Sequence, residues 1–314
     1  MPELPEVETV VRGLRPLLVG RTIVSVEERA PRSLIAISPS LKGTLTNLVS
    51  GRCPHLPIDV AHVDMCHTQV VSTSFRASRL TTLLSGQKVL DISRRGKNIL
   101  MRLSGEMTLW VHLKMTGKFR HVESDAPVGR HDLVLFNLDS PDSRQLRFND
   151  YRRFGRLRLY PDHELWQQPG LVNLGPEPLE MSAPQFVQLC HAHTRMIKPA
   201  LLDQSFIAGL GNIYADESLW ASKIHPRRLT SSISGRKLLE LHGHIQRLLH
   251  KAIRMMGTTV DSYAGVNGQT GRFQKYLQVY GRDGAPCHRC SSKLVREKIG
   301  SRSAHYCPRC QRKF

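Results

Sequence analysis

Four cysteines near the C-terminal end restrict this chain more than any other feature. They fall as Cys287-x2-Cys290-x16-Cys307-x2-Cys310, two close pairs whose spacing reads as a tetrahedral zinc site rather than as disulfides. A segment as short as residues 287–314 buries too little surface to fold alone, so the metal has to nucleate it. The expectation is one structural zinc ion, because four thiolates close the coordination shell and leave no open position for a reacting group. Thiolates that hold zinc must stay reduced, which suits the cytoplasm. Cys53, Cys66 and Cys190 are left over and read as ordinary thiols.

The remaining residues must supply at least one further core, because 314 residues exceed the roughly 250–300 at which a single core stops growing. Val7, Val10, Val11 and Leu14 fall at i, i+3, i+4 and i+7, which predicts an N-terminal helix. Pro5 suits its first turn, and Pro16 and Gly20 are expected to end it. Strands are expected at 22–27, 88–92, 98–103, 107–115, 132–138 and 145–149. In the fourth, Met107, Leu109, Val111, Leu113 and Met115 alternate, so one face should be buried. An early helix followed by dense strands predicts a β-sandwich domain over residues 2–165.

Residues 38–80, rich in Ser and Thr and without a sustained period, read as a surface insertion in that domain. The Pro/Gly-rich stretch 166–182 reads as a linker. Helical periods follow at 184–192, 197–204, 211–222 and 234–256, giving a helical domain over 183–275 that closes on a Gly-rich, polar and mobile loop at 264–275. Residues 276–314 form the zinc module. The expected class is α+β and multidomain.

A net charge of +19 would fit many basic proteins, but its placement is selective: segments 94–120, 144–158 and 287–314 carry all but one unit of it. Segregation of this kind points to a polyanion-binding surface. On charge alone, a generically basic protein such as a ribosomal one stays open. No run of about 18 apolar residues exists, so no membrane-spanning helix is expected. The first residues, MPELPEVETV, carry acids where a secretion signal needs positive charge.

Pro2 follows the initiator Met, and a small second residue normally permits removal of that Met. The chain then begins with a secondary amine, and an α-amino group, with a pKa of about 8, is far less protonated at neutral pH than a lysine. Attack of such an amine on a sugar C1′ gives an iminium with no N–H to lose, a fixed cation that acidifies the C2′ protons for elimination. Glu3 and Glu6 place two carboxylates beside it. Spacing alone equally allows the plainer reading, in which Pro2 and Pro5 only shape the start of a helix.

Residues 1–9, Met-Pro-Glu-Leu-Pro-Glu-Val-Glu-Thr, resemble the start of the formamidopyrimidine-DNA glycosylase family, repair enzymes for oxidised purines. Arg94-Arg-Gly-Lys97 resembles the family's catalytic-lysine segment, and His112-Leu-Lys-Met115-Thr-Gly117 its void-filling methionine segment. Asp150-Tyr-Arg152-Arg153-Phe154-Gly155 resembles its intercalating loop. Gly209-Leu-Gly-Asn212-Ile-Tyr-Ala-Asp-Glu217 resembles the helix–two-turn–helix signature, and Gln278-Val-Tyr-Gly-Arg-Asp-Gly-Ala-Pro-Cys287 the opening of its zinc finger. These segments run in the family's order from residue 2 to 310. Only 38–80 is a long stretch outside the resemblance. The Glu-Leu-Pro-Glu start separates the chain from the sister endonuclease VIII branch, which cuts oxidised pyrimidines and begins Glu-Gly-Pro-Glu. A non-catalytic DNA-binding protein on the same scaffold is the other alternative.

The resemblance implies a role for each residue. Pro2 would be the Schiff-base nucleophile, Glu3 the general acid/base at the sugar, and Glu6 a supporting carboxylate. Lys97 would assist β-elimination beside the lesion's phosphates, and Arg302 in the finger would assist δ-elimination. Met115, Arg152 and Phe154 would fill the hole left by a flipped base. His112, His131, Arg153, His193 and Asn212 would contact DNA phosphates, Asn212 at a helix N-terminus. The partner would be double-stranded DNA with a damaged base, and family precedent implies a monomer in the cytoplasm, associated with the nucleoid. The chain departs from the family at Lys114 (usually Gly), Tyr151 (usually Pro), Ala304 (usually Thr), Arg272 (often Tyr) and at His193 and Arg195 before Ile197.

Overall fold

The computed structural model describes residues 1–29, 35–38, 40–41, 79–139, 141, 144–259, 265–266 and 268–313. Most of the insertion expected at 38–80, with Cys53 and Cys66, lies outside these residues. The first helix, α1 (Leu4–Leu18), buries Val7, Val10, Val11, Leu14 and Leu18 along one side, as its period requires. Pro16 does not end it but sits in its last turn. There the missing N–H forfeits a single bond, and Val19 N–H still closes on Arg15 O at 3.0 Å.

Two sheets follow. One has four strands in the order β1 (Ile23–Glu28), β7 (Asp132–Leu138), β8 (Arg144–Asn149), β6 (Lys118–Glu123). The other has five, in the order β2 (Ile35–Ile37), β9 (Arg156–Pro161), β5 (Met107–His112), β4 (Asn98–Leu103), β3 (Val89–Arg95). Among the described residues, the β2–β9 pair is parallel and the other pairs of these two sheets are antiparallel. Their inner faces enclose Val26, Ile92, Ile99, Leu109, Val111, Phe119, Phe136, Phe148, Leu157 and Leu159. The helix α2 (Arg79–Leu84) seals one end with Leu83 and Leu84.

Three expectations need correcting here. β5 stops at His112 rather than running to 115, and Met115 stands 38% exposed in the turn beyond it. Both faces of β5 are buried: Trp110, on the outer face, packs with Leu100, Leu165 and Leu171. The cover comes from two short helices, α3 (Asp162–Leu165) and α4 (Pro169–Val172). The Gly-rich stretch 264–275 is not free along its length, because Val266 enters the sandwich core and Phe273 the helical one.

The helical part contains α5 (Ala183–His191), α6 (Ile197–Leu202), α7 (Asn212–Ala221) and α8 (Gly235–Arg254). Ser182 and Gln185 form a capping box at the start of α5. Leu4, the first residue of α1, belongs to this second core together with Phe186, Leu201, Tyr214 and Leu241. α1 therefore spans both cores, and the residues just before it sit at the seam. Glu177 fastens the same seam, accepting from Arg94 at 2.7 Å, Arg95 at 3.0 Å and Gly96 N–H at 2.6 Å. A hairpin of β10 (Val295–Ile299) and β11 (Arg302–Tyr306) closes the chain.

Candidate functional site

The start of α1 points into the start of α7. The buried Glu3 carboxylate accepts N–H bonds from Gly211 (2.7 Å), Ile213 (2.9 Å) and Tyr214 (3.5 Å). These are the amides a helix leaves unpaired at its N-terminus. Glycine is required at 211: a Cβ there would lie 2.5 Å from Glu3 Oε1. Glu6 Oε2 accepts from Glu3 N–H at 2.8 Å, and Oε1 from Tyr214 Oη–H and Thr258 N–H, both at 2.7 Å. Gly257, in the left-handed region at φ 79°, lets the chain pass Glu6, where a Cβ would approach to 2.7 Å.

Electrostatics couple this pair to Lys97, which is 5% exposed. Burial raises the Glu3 carboxyl above its usual range, while the Lys97 ammonium and the three amides pull it back. Burial and the Glu3 charge push Glu6 up to about 7. Burial depresses Lys97, the two carboxylates oppose that, and the Arg302 guanidinium adds to it. Lys97, Arg302, His112 and Met1 line one cavity of about 530 Å³ between the sandwich and the helical part. Pro2, which follows Met1 in the chain, is buried. His112 Nδ1 accepts Lys114 N–H at 3.0 Å, and burial with the nearby Lys114 charge lowers its pKa to about 3. The ring is therefore neutral, with its proton on Nε2.

A second group is exposed. Arg152 lies over the Phe154 ring, 5.0 Å from its centroid, and Phe154 is 48% exposed. Buried Asp150 ties this loop to the Met115 turn, accepting from Thr116 Oγ1, Arg152 N (3.1 Å) and Gly155 N (2.7 Å). Met115, Arg152 and Phe154 are thus carried on two turns held by one carboxylate. Arg153 takes φ 58° at the bend. His131, beside Tyr151 at 6.4 Å, backs the same loop through a bond from Asp150 N–H to its carbonyl.

The four finger cysteines have sulfurs all within 4.8 Å of one another. Cys290–Cys307 and Cys290–Cys310 are 3.5 Å apart and Cys287–Cys310 4.0 Å. A tetrahedron of Zn–S bonds of about 2.3 Å needs sulfurs about 3.8 Å apart, so the set fits zinc. Arg289 N–H and Cys310 N–H point at the Cys287 and Cys307 sulfurs, at 3.5 and 3.4 Å, as thiolates favour.

The profile of the formamidopyrimidine-DNA glycosylase N-terminal domain matches residues 1–53 and 45–157, that of its H2TH domain 174–264, and that of a zinc finger found in FPG and IleRS 284–312. A formamidopyrimidine-DNA glycosylase of Pelotomaculum thermopropionicum is 40% identical over 315 residues, covering 99% of each chain. The chain belongs to the formamidopyrimidine-DNA glycosylase family. Two solved Lactococcus lactis Fpg structures agree with this. A complex with abasic-site DNA matches at 34% identity and a TM-score of 0.79, and one with N7-benzyl-Fapy-dG DNA at 33% and 0.80. Each aligns over 99% of this chain and 100% of its own. As in the family, the finger holds one structural zinc.

Within this family fold, several residues matter that no sequence motif singled out. Tyr214 and Thr258 bond each other at 3.0 Å and together hold Glu6. Asp216, Glu217 and Lys198 dock the finger: Lys198 Nζ donates to Asp216 (2.5 Å) and Ser303 O (2.6 Å), and Asp216 accepts His305 N–H (2.9 Å). Glu217 accepts the N–H groups of Gln278, Val279 and Tyr280. The only signal in the sequence is that three of these residues stand in the Gly209–Glu217 motif. His193 is exposed and packs at a tilt of 56° against Phe206, ring centroids 5.6 Å apart, while Arg195 is paired with Asp203 at 2.7 Å. Asn212 opens α7 with its Oδ1 buried and unpartnered. Lys114, at φ 55°, adopts the backbone that makes Gly usual there.

Proposed function

We propose that the chain is a bifunctional DNA glycosylase and apurinic/apyrimidinic lyase that removes oxidised purines, 8-oxoguanine and formamidopyrimidines, from double-stranded DNA. One observation carries the reading: Met1, Lys97 and Arg302, from three separate parts of the chain, line one cavity, and the Lys97 ammonium is coupled electrostatically to the buried Glu3 carboxylate. Removal of Met1, which lines that cavity, would free the Pro2 amine. A positive charge on Lys97 or Arg302 would favour the unprotonated amine by like-charge repulsion.

In this reading the Pro2 nitrogen loses its proton and forms a bond to C1′ as the damaged base leaves, and the Glu3 carboxyl then gives a proton to O4′ as the C1′–O4′ bond breaks and opens the sugar. The resulting iminium draws electrons from the C2′–H bond. Loss of that proton expels the 3′ phosphate, and a second elimination expels the 5′ phosphate, leaving a gap flanked by phosphates. Lys97 and Arg302 steady the departing phosphates. Met115, Arg152 and Phe154 occupy the vacated stack. The zinc shapes the finger that carries Arg302 and takes no part in a step. The enzyme works as a monomer in the cytoplasm.

Borohydride trapping on a duplex with 8-oxoguanine opposite C should give a covalent adduct that Pro2→Gly weakens and an N-terminal extension abolishes. No adduct from zinc-loaded protein whose mass shows Met1 removed would overturn the mechanism. Faster excision of thymine glycol than of 8-oxoguanine would overturn the substrate assignment.

A further inference from the structure

The cavity beside Lys97 is larger than the chemistry above uses. Its remote wall is the outer face of the five-stranded sheet. On β5 and β9, Trp110 pairs with Arg158 and His112 with Arg156. Leu109, Val111, Leu157 and Leu159 fill the sandwich core, so by the two-residue alternation of strands these four project the other way. Arg156 and Arg158, with Lys114 from the turn after β5, line the same cavity as Lys97 and Arg302.

No Asp or Glu lines this cavity among the described residues. None of the five cations belongs to the ion pairs found among the described residues. The Arg158 guanidinium carbon lies over the buried Trp110 indole, 5.0 Å from its centroid, and Arg156 Nη1 is held by the carbonyls of Phe154 (2.9 Å) and Gly155 (2.8 Å). Both guanidiniums are thus fixed in place, with donors to spare. Burial and the charges of Arg156 and Arg158 lower the Lys114 pKa, the mark of cations gathered without a counter-ion.

We propose that Lys114, Arg156 and Arg158 form a second phosphate site, which grips the DNA backbone beyond the phosphates held at Lys97. The resemblance that assigned His112, Arg153 and Asn212 assigned nothing to these three residues. A strand carries a charge about every 3.4 Å along its axis, so a backbone seated at Lys97 continues along this wall. Arg156 stands immediately after the Arg152–Phe154 loop, which would couple the grip to the wedge. The inference rests on the DNA-glycosylase reading, but that reading fails on a missing borohydride adduct, whereas this one fails on a binding slope that needs no turnover.

The test is fluorescence anisotropy with a non-cleavable tetrahydrofuran-containing duplex, with Kd measured across a salt series. Removing one cation that grips a phosphate should lower the slope of log Kd against log salt by about 0.9. Arg156→Gln and Arg158→Gln should each do so, together with a several-fold weaker Kd at about 150 mM salt, and Arg158→Lys should restore most of the slope. Arg236→Gln removes the same charge from the exposed start of α8 and should leave the slope as it was. Thermal melts establish that each variant is folded; Arg156→Gln leaves the Trp110 stack intact. Unchanged slopes in both glutamine variants, or an equal fall in Arg236→Gln, would overturn the site.

Discussion

Glu6 stands in the first turn of α1 with Tyr214 Oη–H and Thr258 N–H on one oxygen and Glu3 N–H on the other. Its pKa rises to about 7 from an ordinary 4.5 because burial and the Glu3 charge disfavour a second carboxylate. The protonated form therefore favours the fold. That contribution is complete below about pH 4.5 and is lost as pH climbs through about 7. The Tyr214 hydroxyl works the other way, since it donates to the carboxylate. Tyr214→Phe should lift the midpoint by about one unit, as expected for a charge-assisted bond of about 1.5 kcal/mol. Carbon-13 NMR of labelled Glu carboxyls would follow it; a midpoint that stays or falls would contradict the network. The spacing of Glu3 and Glu6 was legible in the first six residues. Their partners at 211–214 and 257–258 were not, because nothing local marks a residue that meets another two hundred positions away.

Among the elements, strands with apolar alternation were readable and those written in charge were not. β9 alternates Leu157 and Leu159 with Arg156 and Arg158, a clean period of two, but its arginines read as a continuation of the basic loop before it. β6 hides Phe119 and His121 among Lys118, Arg120 and Glu123 in the same way. The length of β5 was overestimated because Leu113 and Met115 kept the period beyond the last sheet hydrogen bonds. The turn there is secured by Asp150, which pins the Met115 and Arg152–Phe154 segments together. Asp150→Ala would strand the buried donors of Thr116 and Gly155, at about 1–3 kcal/mol each. We expect a loss of about 2–4 kcal/mol in urea unfolding and at least tenfold weaker binding to a duplex containing an abasic analogue. Wild-type affinity in a destabilised variant would separate DNA binding from this anchor.

At the scale of the molecule, the sequence motif located the finger but not its docking. Lys198 and Asp216, both essentially fully buried, reach the β11 strand, and Arg289 lies 3.6 Å over the Trp220 ring with its Nη1 on Trp220 O at 2.6 Å. These bonds seat Arg302 in the cavity with Lys97. Removing zinc with a chelator should unfold the finger, change Trp220 fluorescence and weaken lesion-DNA binding at least tenfold, while the far-ultraviolet signal of the sheets persists. Unaltered DNA affinity after complete zinc removal would mean that the finger contributes no grip.

The bond from Gly211 N–H to Glu3 spans 208 positions, and this has a consequence for biosynthesis. Glu3 leaves the ribosome 208 positions ahead of the Gly211 amide that receives its carboxylate. Helix α1 can form early and pack on the sandwich, but until α7 follows, Glu3 has no cradle and Leu4 no second core. A nascent or truncated chain therefore carries α1 without the amides that receive Glu3. Assembly order itself leaves the buried Glu3 and Glu6 pair unformed until α7 and residues 257–258 have been made.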